Sequence, residues 1–148
     1  MHLYFAYGSN LHAAQMAKRC ADSKRIGRAV LVGHRLDFTR RSGDWKGGVA
    51  DIVPNPGHEV WGLLYQISDA DLCSLDRYEG YPTLYGRMQV QVHKDGDPIA
   101  NVLAYFVQKK QPFVAPHPDY LEIIRTAARE HLFPREYRDF LDAIRTGE

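Results

Sequence analysis

The sequence predicts an α+β fold, and three observations carry that prediction. β-forming runs crowd the stretch from Ile26 to Val107, helical patterns interrupt them at uneven intervals, and two apolar stripes at helical spacing close the chain. The regular strand–helix alternation of a doubly wound sheet is missing. A length of 148 residues predicts one domain over 1–148 with room for a proper core.

The elements follow in order. Leu3-Tyr4-Phe5-Ala6-Tyr7 reads as a short buried strand, since it is apolar and aromatic and stops at the turn signal Gly8-Ser9-Asn10. Leu11 to Lys18 has helix-forming composition, with Ser9 or Asn10 available as its cap. Ile26 to Phe38 is β-rich, and Gly27 and Gly33 inside it predict a bulge or bend. Arg40 to Gly48 reads as a polar loop holding Trp45, Gly48 to Val53 as a short strand, and Pro54-Asn55-Pro56-Gly57 as a turn. Glu59 to Ile67 is the clearest strand. Ser68 is placed as an N-cap, with Asp69 and Asp71 in the favourable first turn of a helix that runs to Tyr78 or Glu79 and ends at Gly80. Leu84 to Val92 and Ile99 to Val107 form a hairpin across Asp95-Gly96-Asp97-Pro98. Gln108 to Pro118, with Pro112 and Pro116 inside it, is a loop. Tyr120, Leu121, Ile124, Ala127 and Ala128 stripe one final helix; Tyr137, Phe140, Leu141 and Ile144 stripe a second, with Pro134 at its start.

Composition excludes several functions. Lys plus Arg total 19 against 18 Asp plus Glu, so a formal charge of +1 supplies no electrostatic reason to expect nucleic acid or a membrane as partner. The basic residues between Lys18 and Lys46 are interrupted by Asp22, Asp37 and Asp44, the pattern of a solvated face. Cys20 and Cys73 are far apart and read as reduced, buried thiols of a cytoplasmic protein. There is no basic leader followed by an apolar core and no apolar run of about 18 residues. The histidines show no paired spacing, so no metal site is expected. No nucleophile elbow, phosphate loop or dinucleotide fingerprint appears, and no cofactor is expected.

Three features carry chemistry. A strand feeding the Gly8 turn and a helix start aims several backbone N–H groups at one spot, which suits a carboxylate or another anion; the same residues also fit an ordinary capped turn. Glu79 shares a helix face with Leu72 and Leu75. Burial there would raise its carboxyl pKa towards neutrality and suit a general acid/base, while a helix-end carboxylate facing solvent or pairing with Arg77 or Arg87 fits the spacing equally. Among nine tyrosines, Tyr7, Tyr78, Tyr81, Tyr85, Tyr105 and Tyr120 fall at strand ends or loop edges, where a phenol serves either a polar pocket or the core.

Together these features resemble one family. The blocks Phe5-Ala6-Tyr7-Gly8-Ser9-Asn10-Leu11, Trp45-Lys46-Gly47-Gly48-Val49-Ala50, Glu59-Val60-Trp61-Gly62 and Leu75-Asp76-Arg77-Tyr78-Glu79-Gly80 are similar, in order, to those of the γ-glutamylcyclotransferases. The resemblance continues through Tyr85, Tyr105, Pro116-His117-Pro118-Asp119-Tyr120 and Phe133-Pro134-Arg135-Glu136-Tyr137, and parts are shared with AIG2-like and butirosin-pathway cyclotransferases. It implies a mixed β-sheet curled into a small barrel, with helices packed around it. It implies that Glu79 is the catalytic acid/base, that Tyr7, Gly8, Ser9 and Asn10 hold a γ-glutamyl group through backbone N–H donors, and that Tyr85, Tyr105 and Tyr120 line the pocket. A homodimer is implied as well. Tyr81-Pro82-Thr83-Leu84 departs from longer segments in some members, which leaves the leaving amine open.

The family reaction converts a small γ-glutamyl substrate into 5-oxoproline and a free amine. The substrate's own α-amine attacks the γ-carbonyl, so neither an enzyme nucleophile nor a metal is needed. The Gly8–Asn10 amides would bind either the substrate carboxylate or the oxyanion formed on the γ-carbonyl. A relative acting on another γ-glutamyl compound, a non-catalytic binding module that keeps the pocket, and a plain interaction protein are the competing readings.

Overall fold

A computed structural model describes residues 1–147. The strands are β1 (His2–Ala6), β2 (Lys24–Ser42), β3 (Gly47–Ile67), β4 (Tyr85–Lys94) and β5 (Asp97–Val107). The helices are α1 (Ala13–Arg19), α2 (Asp69–Glu79), α3 (Pro118–Glu130) and α4 (Arg135–Asp142), with a short 3-10 turn at Ser9–Leu11. The strands close into a barrel in the order β1-β3-β2-β4-β5. All neighbouring pairs are antiparallel except β1 with β5, which run parallel and complete the closure. The α+β class, the curled mixed sheet and the two C-terminal helices therefore stand as the sequence and its family resemblance imply. No described helix is long and apolar enough to cross a membrane.

β2 and β3 form one long hairpin, and here the structure corrects the sequence reading. The polar loop placed at Arg40 to Gly48 shrinks to the hairpin tip, since Arg40 pairs with Val49, Arg41 with Gly48 and Ser42 with Gly47. Pro54-Asn55-Pro56-Gly57 does not reverse the chain: both flanks of β3 pair with β2, Val32 opposite Glu59 and His34 opposite Pro54. The extra residues bulge outward there, because a proline cannot donate to the ladder. Gly27 and Gly33 lie at register shifts, as expected. The β4–β5 hairpin turns on Asp95 and Gly96, both with positive φ, the backbone that matches strand twist in a two-residue turn.

The barrel interior and the helix faces bury one continuous apolar cluster, including Phe5, Phe38, Leu63, Leu64, Leu75, Leu121, Ile124 and Phe133. Tyr120, Leu121, Ile124, Ala127 and Ala128 of α3 are all buried, as the stripe predicts; in α4 Tyr137 and Leu141 are buried but Phe140 lies on the exposed side, and Ile144 falls beyond the helix. The cap of α1 is His12, whose Nδ1 accepts from the Gln15 amide, rather than Ser9 or Asn10. The 3-10 turn displaces the helix start by a few residues and leaves Asn10 buried. Cys73 is exposed, against expectation, because its helix position is rotated away from the Leu72–Leu75 face; Cys20 is buried. Asp71, in the first turn of α2, is buried. Its carboxylate accepts from the Ser68 and Asp22 amides and closes a capping box.

The segment after β5 straps across the barrel end and positions α3. The amides of Gln111 and Val114 donate to Thr39 and Phe38 carbonyls, and that of Gly48 donates to Ala115. A side chain at Gly48 would run into the Val114 carbonyl. Gly48→Ala should therefore cost about 1–3 kcal/mol in chemical denaturation, by overpacking against backbone. Gly43→Ala, where a Cβ meets nothing within 4 Å, should stay within about 0.5 kcal/mol of the parent.

Candidate active site

One end of the barrel opens into a cavity of about 320 Å3. β1 and the 3-10 turn supply Tyr4, Tyr7, Gly8, Ser9 and Asn10; the end of α1 supplies Arg19; the end of α2 supplies Tyr78 and Glu79. The β2–β3 hairpin contributes Arg40, Ser42, Asp44, Trp45, Val49 and Ala50, and Tyr85, Tyr105 and Tyr120 arrive from β4, β5 and α3. Every residue that the family resemblance assigns to a site lies on this cavity, as does Tyr78 among the other tyrosines singled out. Tyr81 does not; its ring packs against Arg87 outside it.

Most of the phenols are held by hydrogen bonds at the barrel mouth. Tyr7 donates to the Tyr105 carbonyl at 2.6 Å and Tyr85 to the Ala50 carbonyl at 2.8 Å. The Ala50 amide in turn donates to the Tyr120 hydroxyl at 2.9 Å. Tyr105 donates to Asp76 at 2.6 Å, and Tyr4 accepts from the Asn10 side-chain amide at 2.9 Å. Burial pushes the pKa values of Tyr4, Tyr7, Tyr85, Tyr105 and Tyr120 above the usual phenol range, so all stay neutral. Trp45 rests edge-on against Tyr120, their rings 4.9 Å apart.

Gly8 has a packing reason to be glycine. A Cβ there would lie 3.1 Å from the Ala50 Cβ and 3.2 Å from the Tyr120 hydroxyl, so a side chain would crowd the cavity floor. Within the turn, Leu11 N–H donates to Gly8 and His12 N–H to Ser9. The amides of Ser9 and Asn10, being first in the turn, have no acceptor within it.

Glu79 is the last residue of α2, one turn after the fully buried Leu75, and Gly80 ends the helix in the left-handed conformation with φ 65°. The carboxyl borders the cavity and is otherwise enclosed by protein. Burial pushes its pKa up to about 7, against the opposing pull of the Arg19 and Arg40 guanidinium groups. Neither of the partners suggested by spacing takes it. Arg87 pairs with Asp76 at 3.2 Å, and Arg77 is exposed. Asp76 is engaged by Arg87 and by the Tyr105 hydroxyl. Arg19 donates to Asn10 Oδ1 at 2.9 Å and lies over the Tyr78 ring.

Sequence reasoning missed Tyr4, Arg19, Arg40, Ser42, Asp44 and Trp45 as site residues. Tyr4 reads as strand core, and only closure of the barrel turns its hydroxyl to Asn10. Trp45 stood inside a family-like block, which was a usable signal; the arginines had none. Cys20 is no nucleophile candidate, since burial pushes its thiol up to about 12 and its Sγ faces the Asp71 carbonyl. Among the described residues no group of three or more His, Cys, Asp or Glu is placed to hold a metal ion.

A closed barrel with a near-neutral carboxyl in a phenol-lined cavity defines a class of site suited to proton transfer on a small polar molecule. The comparisons narrow it. Residues 4–122 match the family described as Gamma-glutamyl cyclotransferase, AIG2-like. A Homo sapiens protein named Gamma-glutamylcyclotransferase is 33% identical over 151 residues, spanning 99% of this chain and 80% of that relative. A solved structure titled Gamma-glutamyl cyclotransferase superposes with a TM-score of 0.91 at 33% identity, covering 99% of this chain and 89% of that one. YkqA from Bacillus subtilis superposes at 0.82 with 28% identity, covering 99% of this chain and 56% of its own. The chain belongs to the gamma-glutamyl cyclotransferase, AIG2-like family.

The raised pKa of Glu79 has a consequence for stability. A carboxyl whose folded pKa exceeds its unfolded value of 4.5 leaves stability untouched below about 4.5, and lowers it as pH rises to about 7 and beyond. Glu79→Gln removes that charge. Its melting temperature should match the parent near pH 4.5 and exceed it at pH 8, by about 2–4 °C for each kcal/mol relieved. Equal melting curves at both pH values would contradict the burial of this carboxyl.

Proposed function

We propose that this chain is a γ-glutamylcyclotransferase, converting a small γ-glutamyl amino acid or amine into 5-oxoproline and the free amine. The observation that carries the reading is Glu79, a carboxyl poised near pH 7 on the wall of the cavity in a chain belonging to this family. The reading treats 1–148 as one catalytic unit. It assigns substrate contacts to Tyr7, Gly8, Ser9, Asn10, Tyr85, Tyr105 and Tyr120.

In the reaction the ionised Glu79 takes a proton from the substrate α-ammonium. The freed nitrogen lone pair attacks the γ-carbonyl carbon, the carbonyl π electrons move to oxygen, and a five-membered ring closes. The Ser9 and Asn10 amides are suited to receive a carboxylate or that oxyanion. As the carbonyl re-forms, the bond to the leaving nitrogen breaks and protonated Glu79 delivers a proton to it. Two protons in all pass from the α-nitrogen to the leaving amine, and no water is consumed. Holding the glutamyl chain curled is the larger effect, worth up to about 7–11 kcal/mol in ideal intramolecular cases. Acid/base transfer adds about 10²–10⁴-fold. The Tyr4 and Tyr120 hydroxyls accept from Asn10 and the Ala50 amide, which leaves their protons to donate to a substrate oxygen.

Glu79→Gln should keep the fold and lower 5-oxoproline release from γ-Glu-Ala by about 10²–10⁴-fold. In the parent, kcat/KM should rise with pH through about 7, where Glu79 ionises, and any residual activity of the variant should lack that limb. Parent-rate turnover by the variant would remove Glu79 from the mechanism. Placement in a reducing, cytoplasmic setting belongs to the same reading, supported by the two free cysteines. So does homodimerisation, which sedimentation equilibrium should register as twice the 16.9 kDa chain mass.

A further inference from the structure

Arg40 is the cation of this cavity that the protein leaves uncommitted. Arg19 is tied to Asn10 and stacked on Tyr78, but Arg40 makes one long contact, from a terminal nitrogen to the Arg41 carbonyl at 3.4 Å. Its Nε is buried and has no hydrogen-bond partner. Among the described residues no carboxylate pairs with it within 4 Å; Asp44 also borders the cavity but is exposed and unbridged to it. Its guanidinium lies 5.7 Å from the Tyr85 ring centre, and its charge is felt at both Glu79 and Tyr120. The other terminal nitrogen makes no hydrogen bond among the described residues and is not buried, so it is free to donate to a ligand in the cavity.

Position decides which acceptor. Arg40 stands at the end of β2 with Ser42, Asp44 and Trp45 of the same hairpin. The Gly8–Asn10 turn and Arg19 come from the other segment, residues 7–19. Glu79 feels both arginines, so the reacting bond, beside Glu79, has one cation from each segment within electrostatic range. A γ-glutamyl amino acid carries two carboxylates, one on the glutamyl half and one on the departing half, whereas a γ-glutamylamine carries only the first.

We infer that Arg40 is a specificity-determining residue that receives the carboxylate of the departing amino acid, so that the protein selects γ-glutamyl amino acids over γ-glutamylamines. The inference rests on the cyclotransferase reading. The planar fork of arginine fits a carboxylate through two parallel hydrogen bonds.

The test is a matched pair, γ-Glu-Ala and γ-glutamylethylamide, which differ only in that carboxylate. The parent should favour γ-Glu-Ala in kcat/KM, and Arg40→Gln should reduce the ratio between the two by roughly 10–100-fold, as expected for a lost charged hydrogen bond. The ratio is the proper readout, because removing Arg40 also shifts Glu79 and slows both substrates together. Arg40→Lys keeps the charge without the fork and should give an intermediate ratio, which also covers any folding defect of the glutamine variant. A parent that does not discriminate, or both substrates falling equally with the ratio preserved, would overturn the assignment while leaving the reaction standing. No 5-oxoproline from either substrate with the parent protein would sink the reaction itself, and the role of Arg40 with it.

Discussion

The site depends on how the barrel mouth satisfies its own backbone. β1 pairs with β3 only over residues 63–67, so the stretch of β3 around Ala50 has β2 on one side and no strand on the other. Unpaired backbone groups at a buried edge are costly. Here both polar groups of Ala50 are taken by phenols, the carbonyl by Tyr85 and the amide by Tyr120. Tyr7 does the same for the Tyr105 carbonyl. The cavity is therefore a place where a sheet edge ends in side chains instead of another strand. Its lining is rich in phenols because tyrosine can reach such groups while burying a ring.

That lining sets the electrostatics of Glu79. Neutral phenols and apolar neighbours solvate a carboxylate poorly, which raises its pKa; Arg19 and Arg40 pull the other way, and the balance falls near 7. The neighbouring charges that would have neutralised it are used elsewhere. Asp76, a turn away on α2, holds Arg87 and the Tyr105 hydroxyl. An acid poised this way costs stability at neutral pH.

A second buried carboxylate supports the scaffold without entering the cavity. Asp51 is fully buried and accepts from the Thr39 hydroxyl, the Val107 amide and Lys110, tying β2, β3 and the end of β5 together beneath the tyrosines. Next to Ala50 in sequence, it points to the opposite face of β3, as strand alternation requires. Cavity wall and anchor thus occupy the two faces of one strand.

Much was legible in the sequence because it is decided locally. The β1 strand, the Ser68 cap, the Gly80 stop, the β4–β5 turn and the α3 stripe follow from spacing, capping chemistry and glycine conformation over a few residues. The alignment of Glu79 with Leu72 and Leu75 also came from helical period alone, and family-like blocks marked the tyrosines. Tertiary structure decided what depends on distant partners. Pro54 to Gly57 became a bulge because β2 stays paired on both sides of it. His12 became the cap because barrel closure draws Asn10 inward. Arg19 and Arg40 joined the site because segments far apart in the chain meet at one barrel end. The sequence by itself determined which groups could bear chemistry; only closure of the sheet determined which of them share a cavity, since burial, and the pKa of Glu79 with it, is a property of the surroundings rather than of the residue.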